Sequence, residues 1–416
     1  MDAEYGRENK RVNLADDPSS RAMVQIDLHR LPRRILLDIL SRLPITSLIH
    51  FKTTSHIGYG IIDDPRLPPL FRNRVSDSNP CLILFENNVP QRLCFVDSED
   101  CSRRVRKIDP PQHSEVKNLV GSCNGLLCVS YPISDPLLFS VSHETGSLLI
   151  YNPFVGDAVR VQAADDPFLS QYEVFGFGFH PRTGEFKVVR IVYYQRMIIV
   201  EKRHVVIGTV EESMVQVFTV GTTEWRNKGA PPPQLGFGTD PPGALVEGSL
   251  HCSTPFKMGG VGYIFGIISF DLADEVFEEI PHPPCQRFVS RDYNLSVLNG
   301  CLSAVGLLEA GHFDIWVMKQ YHVKESWVKQ FSFDPDLTRG LLVNSLSPGD
   351  SRLLKLICAL KNGEILLQCN SSSLVSYDPV ENRFKTLQLS GLSNEFQALP
   401  FLPSLFSADA TMNLLF

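Results

Sequence analysis

The sequence contains no apolar run approaching the roughly 18 residues that a membrane-spanning helix needs. Its first stretch, MDAEYGRENKRVNLADDPSS, is polar and lacks the apolar centre of a signal peptide or a membrane anchor. We therefore expect no membrane partner, and we expect a disordered lead-in over residues 1–25.

Motifs typical of catalytic, phosphate or metal sites are also missing. There is no G-x-S-x-G nucleophile motif and no pair of histidines at metal-ligand spacing. Gly176 and Gly178 are not followed by a helix start or a P-loop lysine, so the alternation Phe-Gly-Phe-Gly-Phe indicates a closely packed strand instead. Three histidines stand singly in strand-like stretches and read as structural: His180, His204 and His251. We expect neither an enzyme nor a metal or cofactor site.

The ten cysteines do not form a pairing pattern. Cys123 and Cys128 are separated by four residues, with no second pair and no nearby histidine, so they do not indicate zinc. Single cysteines in apolar surroundings are typical of reduced, buried thiols in an intracellular protein. The expected compartment is the cytoplasm or the nucleus.

The net charge of −7 argues against a general nucleic-acid binder. The balance reverses over residues 27–75, where eight Arg or Lys face four Asp. That excess suits an acidic partner surface or, equally, an ordinary solvated face.

Helical periodicity is confined to the first part of the chain. Over residues 31–43 the apolar residues recur at steps of three and four, which predicts an amphipathic helix between Pro32 and Pro44. A helix this short is unstable alone in water, so its apolar face must pack against the rest of the chain or against another protein. From periodicity alone, a small helical cap and a docking helix are both open.

From about Cys81 onward, short runs rich in Val, Ile, Phe and Tyr alternate with Gly, Pro, Asn and Asp, which predicts an all-β domain. A weak repeat of strand, turn and strand recurs about every 45–65 residues, near the size of a four-stranded propeller blade. Its instances are residues 81–97, 147–161, 215–229, 266–284, 313–333 and 374–389. Asn152, Asp271 and Asp378 recur at equivalent positions and predict turns, and the pairs Glu247-Gly248, Asn299-Gly300 and Asn362-Gly363 predict tight hairpin turns. About six blades are therefore predicted, with the apolar run LPFLPSLF at residues 399–406 supplying a missing strand beside residues 81–85. The alternative is an irregular pair of β-sandwiches.

The residues of the first segment resemble a known family. The run LPRRILLDILSRLPITSLIHFK is similar to the F-box of plant F-box proteins, matching at Leu31, Pro32, Ile39, Leu40, Arg42, Leu43, Pro44, Ser47, Leu48 and Phe51. By that resemblance residues 26–75 form a three-helix motif that binds the Skp-type adaptor of an SCF ubiquitin ligase, and through it a cullin. The positions implied to contact the adaptor are Leu31, Pro32, Ile35, Leu36, Ile39, Leu40, Leu43, Pro44 and Leu48.

The remainder carries a second resemblance. LVGSCNGLLCV at residues 119–129 and FGFGFHPRTGEFKVVRI at residues 175–191 are similar to signatures of the F-box-associated domain of the same family, with a weaker match at YDPVENRF. This implies a substrate-binding, propeller-like domain over residues 80–408. The fold class is thus a small helical motif followed by a large all-β domain, α+β by segregation.

One departure from the family pattern affects the third helix. A Val-Ser-Lys-x-Trp stretch is usual there, whereas this chain has Thr54-Ser55-His56-Ile57-Gly58. Two glycines, Gly58 and Gly60, each weaken a helix by about 1 kcal/mol relative to alanine. The expected function is recruitment of a protein target to a ubiquitin ligase; the alternative is a β-propeller interaction module that no longer assembles into one. Proline-rich loops on one rim are the candidate target contacts: Pro231, Pro232, Pro233, Pro241, Pro242 and residues 281–284.

Overall fold

In a computed structural model, residues 31–54, 56–62, 64–75, 79–86, 92–97, 105–110, 116–131, 147–162, 172–200, 203–232, 244–258, 262–284, 293–307, 312–334, 354–389, 391–393 and 395–408 are described. The predicted lead-in, residues 1–25, lies outside these ranges. The helices come first, and the strands follow from Cys81 onward. The α+β fold class is confirmed.

Four helices are present in the described part of the N-terminal segment, where the sequence indicated three. They are α1 (Arg33–Leu40), α2 (Ile45–Thr54), α3 (His56–Ile62) and α4 (Leu67–Val75). The fourth arises because residues 64–66 leave the helical path at Asp64-Pro65 before α4 begins. Apolar residues from all four helices share one buried cluster, which includes Leu36, Leu37, Leu40, Ile45, Leu48, Ile61, Ile62, Leu67 and Phe71.

The strands after the helices form six four-stranded antiparallel sheets. In chain order they are β1 (Cys81–Glu86), β2 (Arg92–Val96), β3 (Val105–Ile108), β4 (Asn118–Cys123), β5 (Leu126–Tyr131), β6 (Ser147–Tyr151), β7 (Ala158–Val161), β8 (Tyr172–His180), β9 (Glu185–Val200), β10 (Arg203–Thr219), β11 (Trp225–Gly229), β12 (Leu245–Val246), β13 (Ser249–Met258), β14 (Gly262–Asp271), β15 (Phe277–Ile280), β16 (Tyr293–Leu298), β17 (Cys301–Leu307), β18 (Phe313–Met318), β19 (Trp327–Phe333), β20 (Leu354–Ala359), β21 (Ile365–Cys369), β22 (Ser373–Asp378), β23 (Arg383–Leu387) and β24 (Phe396–Phe401).

These sheets are the blades of a six-bladed β-propeller, as predicted. Blade 1 has the order β24-β1-β2-β3, and blades 2 to 6 each use four consecutive strands from β4 onward. The first strands of successive blades contact one another through the pairs β24·β4, β4·β8, β12·β16, β16·β20 and β20·β24, and β8 contacts β13 of the next blade. The first strands therefore form the inner ring, and the ring is closed.

Closure occurs where the sequence predicted it. Strand β24 pairs with β1 in antiparallel register from Cys81↔Phe401 to Glu86↔Phe396. The strand begins three residues before the predicted apolar run and ends at Phe401. Residues 402–406 of that run are therefore not part of the closing strand. Joining the two ends of the domain in one blade removes a sheet edge and makes the ring a single unit.

The blade turns follow their predicted chemistry. Asn152, Asp271 and Asp378 each accept a hydrogen bond through the side-chain oxygen Oδ1 from an amide two residues later, at 2.9, 2.7 and 2.9 Å. They shape the turns between third and fourth strands, the role expected for them. The pairs Glu247-Gly248 and Asn299-Gly300 have φ of 51° and 79° and of 51° and 77°, as two-residue hairpin turns require. In the third such pair only Gly363 has positive φ, because that turn is longer.

The up-and-down path of the strands defines two rims. The lower rim carries the turns from first to second strand and from third to fourth strand, and β1 begins there, immediately after the helices. The upper rim carries the connections from second to third strand and from each blade to the next. The helical segment therefore enters the propeller at the lower rim.

Candidate functional site

Helix α1 presents two different apolar pairs. Leu36 and Leu40 are buried in the core, whereas Ile35 and Ile39 are 49% and 43% exposed. Each pair has a spacing of four, so each forms a ridge along one side of the helix, and the two ridges are turned about 100° from one another. Two isoleucines side by side on a helix surface form a candidate contact for another protein.

The nine predicted adaptor contacts are thus divided between a surface and a core. Three leucines lie within the chain's own core: Leu36, Leu40 and Leu48. The other six are exposed or half-buried: Leu31, Pro32, Ile35, Ile39, Leu43 and Pro44. The exposed helical face, meaning Pro32, Ile35, Ile39 and Pro44, is the part available to a partner; the buried three support it.

One further exposed apolar residue, on α4, was not among the predicted adaptor contacts. Leu70 on α4 is 39% exposed, and α4 contacts α1. The two helices are joined through Asp38, which accepts hydrogen bonds from Arg42 at 2.9 Å and from Arg74 at 3.3 Å. Its spacing of three from the buried Leu67 predicts that both residues lie on one face of the helix, so the exposure of Leu70 follows only from the tertiary contacts of α4.

The start of α1 is held by a buried carboxylate. Asp64 accepts a hydrogen bond from Nε of Arg33 at 2.7 Å and from Nη2 of Arg66 at 2.8 Å, and its other oxygen accepts from the Arg66 amide at 3.0 Å. The hydrogen bonds from Arg66 and Arg33 lower the pKa of Asp64 well below its usual range, against the opposing effect of burial. Because Arg33 begins α1 and Asp64 lies between α3 and α4, this contact fixes the orientation of the exposed helical face.

The glycine that departs from the family pattern has a packing role. Gly58 is buried within α3, and a Cβ atom there would lie 2.2 Å from the carbonyl oxygen of Phe51 on α2. Residues 56–62 are helical despite both glycines, so the third helix forms. The interpretation that Gly58 only weakens this helix is therefore incomplete, since glycine is what lets α2 and α3 approach so closely.

The helices are attached to the lower rim of the propeller. Their buried cluster continues into blades 1 and 2, where it includes Ile83, Phe95, Leu127, Tyr151 and Phe401. Asn79, just before β1, accepts a hydrogen bond at 2.7 Å from the amide of Lys361 in a lower-rim turn of blade 6. One continuous apolar core implies that the helical segment and the propeller move together.

The C-terminal residues 402–406, which we call the latch, are hydrogen-bonded to the same lower rim. The Nδ2 amide of Asn152 donates to the carbonyl oxygens of Ser404 at 2.9 Å and of Phe406 at 2.8 Å. Gly125 lies so close that a Cβ would be 2.1 Å from Oγ of Ser404. Residues 402–406 therefore cross from blade 1 to blade 2 after β24 ends, a second closure that the sequence did not indicate.

Two buried polar groups lie between blades without forming a reactive site. Burial lowers the pKa of His251 to about 4; its Nδ1 donates to the Ala244 carbonyl at 2.9 Å, and its Nε2 accepts from Tyr321 Oη at 2.8 Å. Glu275 accepts from Lys187 at 2.8 Å and from Lys228 at 2.9 Å. Burial acts to raise the pKa of Glu275, but these hydrogen bonds and the nearby charges outweigh it and lower that pKa to about 2. Both groups join neighbouring blades.

The described residues contain no group of three or more His, Cys, Asp or Glu arranged to hold a metal ion. The eight cysteines among them are free, and burial raises the pKa of Cys123 and Cys358 to about 12, so these thiols stay protonated. Cys101 and Cys285 lie outside the described ranges. None of the described helices is long and apolar enough to cross a membrane.

The predicted proline-rich contacts belong to connections between blades. Pro231 and Pro232 follow β11 and residues 281–284 follow β15, so both connections lead over the upper rim. Pro233, Pro241 and Pro242 lie outside the described residues. Whether these prolines contact a target stays a prediction.

Comparison with known proteins agrees with this architecture. Residues 81–407 match the model of the F-box associated β-propeller domain. The F-box protein At3g07870 of Arabidopsis thaliana is 34% identical over 412 residues, covering 93% of this chain and 94% of that protein. This chain belongs to the plant F-box proteins with an F-box associated β-propeller domain.

Two further relatives extend the comparison. The F-box protein CPR1 of Arabidopsis thaliana is 25% identical, covering 88% of this chain and 86% of the relative. The F-box/kelch-repeat protein At3g23880 of the same organism is 23% identical, covering 85% and 91%. Both alignments span most of each chain.

Proposed function

We propose that this F-box protein is the substrate-recognition subunit of an SCF-type E3 ubiquitin ligase. The exposed helical face binds a Skp-type adaptor and through it a cullin, and the propeller binds the protein target. The chain does no bond chemistry itself. It raises the rate of ubiquitin transfer by holding the target near a ubiquitin-loaded enzyme.

The observation that carries this proposal is the exposure of Ile35 and Ile39 on a helix whose other side is fixed in the core. Free apolar side chains on a rigid helix are typical of a helix that docks into a partner's groove. The position of the helices supports it too. They enter at the lower rim, so the upper rim, with its long connections, is left for a target. Free cysteines among the described residues fit the cytoplasm or nucleus, where such a complex would act.

The direct test is co-purification of the full chain with a Skp-type adaptor, comparing the wild type with an Ile35→Asp, Ile39→Asp double variant. Placing two carboxylates in an apolar contact should weaken binding by about 2 kcal/mol or more, roughly thirty-fold in Kd. Leu36 and Leu40 are unsuitable targets, because their substitution would disrupt the core.

Val380 provides a matched control. It is 92% exposed in a lower-rim turn of blade 6. Val380→Asp makes the same chemical change on the same rim, and adaptor binding should be unaffected. If the wild type does not bind the adaptor, or if both variants bind like the wild type, the ligase proposal is wrong and the protein is a propeller interaction module.

A further inference from the structure

One hairpin of the propeller is much longer than its blade. In blade 3, β8 pairs with β9 as far as Tyr172↔Tyr193, and β11 pairs with β10 as far as Gly229↔Val215. Beyond those positions β9 and β10 continue to pair with each other, out to Val200↔Arg203. We call this extension, residues 194–200 and 203–212, the arm. Its seven β9 residues span roughly 20 Å at about 3.3 Å per residue.

The arm rises from the upper rim, because it is the connection between second and third strands. Within the described residues it is a two-stranded ribbon with neither β8 nor β11 beside it. An isolated two-stranded ribbon is marginally stable in water. Its sequence is nevertheless rich in strand-forming apolar residues, with MIIV at residues 197–200 and VVI at residues 205–207. This composition is typical of a strand that pairs with something further.

The two edges of the arm differ in regularity. The register shifts between Val206 and Val210 and again between Val210 and Glu212, so the β10 edge is interrupted by bulges. Bulges prevent another strand from pairing along an edge. The β9 side has no inserted residues from Tyr194 to Val200. The β9 edge is therefore the regular one.

The neighbouring long hairpin gives a useful contrast. In blade 4, β13 and β14 pair out to Met258↔Gly262, also beyond the strands beside them. Strand β13, however, contains Pro255. Proline has no amide hydrogen to give to a ladder, so it interrupts that edge. The β14 edge of the same hairpin is also regular over residues 262–266, where β15 no longer pairs with it, but it is shorter than the seven-residue β9 edge. The β9 edge is therefore the longer of the two edges that have neither a bulge nor a proline.

We propose that the β9 edge of the arm, residues 194–200, binds an extended segment of the target protein as an added β-strand. The incoming strand takes the place beside β9 that β8 occupies inside the blade. Main-chain hydrogen bonds provide the affinity. Calling the bound protein a target rests on the proposed function, but the binding of a strand does not itself require a ligase.

The test uses the full chain and a fluorescein-labelled ten-residue peptide of alternating valine and threonine, measured by fluorescence anisotropy. The matched control peptide is N-methylated throughout its central residues, which removes the main-chain donors and keeps the side chains. The plain peptide should bind about ten-fold more tightly or better. Equal binding of the two peptides, or no binding of either, overturns the proposal.

Two variants locate the site. Ile198→Lys puts a charge on the β9 edge strand and should abolish peptide binding, whereas Val205→Lys, directly across the ribbon on β10, should reduce it much less. Equal losses of peptide binding in the two variants would indicate that the peptide binds a face of the ribbon and not the β9 edge. In a second variant Asn-Gly replaces residues 195–211 and joins the paired residues Tyr194 and Glu212 in a tight turn. This variant should lose the peptide and keep the adaptor.

The outcomes separate the two proposals. Loss of peptide binding with adaptor binding retained supports the arm. Failure of adaptor binding in the wild type contradicts the ligase role and leaves the arm testable by the peptide alone. If the wild type instead forms a dimer in sedimentation and the shortened variant does not, the edge pairs with a second copy, and the proposal of a target strand is wrong.

Discussion

Gly58 on α3 packs against the main-chain carbonyl of Phe51 on α2, with a separation that leaves no room for a side chain. Glycine inside a helix ordinarily costs about 1 kcal/mol relative to alanine. Here the glycine permits a close approach of α2 and α3 that a side chain would block. The glycine that the sequence pattern marks as weakening the third helix therefore makes a close packing contact in the structure.

The first prediction compares two glycines of the same helix. Gly58→Ala should lower the free energy of unfolding by about 1–3 kcal/mol, because its Cβ would meet backbone rather than a movable side chain. Gly60→Ala should raise it by up to about 1 kcal/mol, since nothing lies within 4 Å of its Cβ position. Urea unfolding followed by circular dichroism at the helix band measures both. Stabilisation by both substitutions would show that α2 and α3 are not in close contact.

The second prediction concerns the C-terminal latch. Asn152→Asp keeps the oxygen that accepts from the Phe154 amide but replaces the two donors with a carboxylate facing the carbonyls of Ser404 and Phe406. The free energy of unfolding should fall by about 1–3 kcal/mol, and residues 402–406 should become sensitive to limited proteolysis. Asp378→Asn is the reverse substitution in the matching turn of blade 6, where both forms can accept; it should change stability by less than about 0.5 kcal/mol. If both substitutions lowered the free energy of unfolding equally, Asn152 would stabilise the fold through its turn and not through its hydrogen bonds to the latch.

The third prediction is a loss of stability on mild acidification. Burial holds the pKa of His251 near 4 in the folded chain, below the value of 6.5 for an exposed histidine. The unfolded chain binds the proton more readily in that range, so stability is complete above about pH 6.5 and falls as the pH drops toward 4. The loss from this residue is about 3 kcal/mol.

A His251→Gln variant should be less stable near neutral pH but show a flatter dependence of stability between pH 6.5 and 4. Tyr321→Phe removes the hydroxyl that donates to Nε2 while leaving the titrating ring, so it should keep the slope. Urea titrations at a series of pH values provide the measurement. An unchanged slope in His251→Gln would assign the acid sensitivity to other groups.

The fourth prediction concerns stronger acid. The pKa of Glu275 is lowered from 4.5 to about 2 in the folded chain, so its contribution to stability is present above about pH 5 and is lost as the pH falls toward 2. Glu275→Gln should flatten that lower window and leave the His251 window unchanged. It should also lower stability at neutral pH, since buried Lys187 loses the closer of its two carboxylate partners and keeps Glu185 at 3.2 Å. No change in the lower window would mean that this cluster is not coupled to folding.

Much of the fold was determined by local sequence. Alternating apolar strands, the turn-forming Asn152, Asp271 and Asp378, and the Glu-Gly and Asn-Gly pairs act over a few residues, so they predicted a repeated β unit and about six blades. The closing strand was predictable as well, because a propeller with a free first edge needs a partner strand. The period of α1 was equally clear, since helical spacing is a property of the helix itself.

What only the tertiary structure decided depends on packing between distant segments. Periodicity placed Ile35, Leu36, Ile39 and Leu40 together as apolar residues, but the neighbouring helices determine that the two leucines are buried and the two isoleucines are exposed. The contact of Gly58 with Phe51, the latch between Asn152 and Ser404, and the length of the blade 3 arm likewise join residues that local spacing cannot relate. A short run of sequence fixes which residues can share a face; the rest of the chain determines whether that face meets the core or a partner.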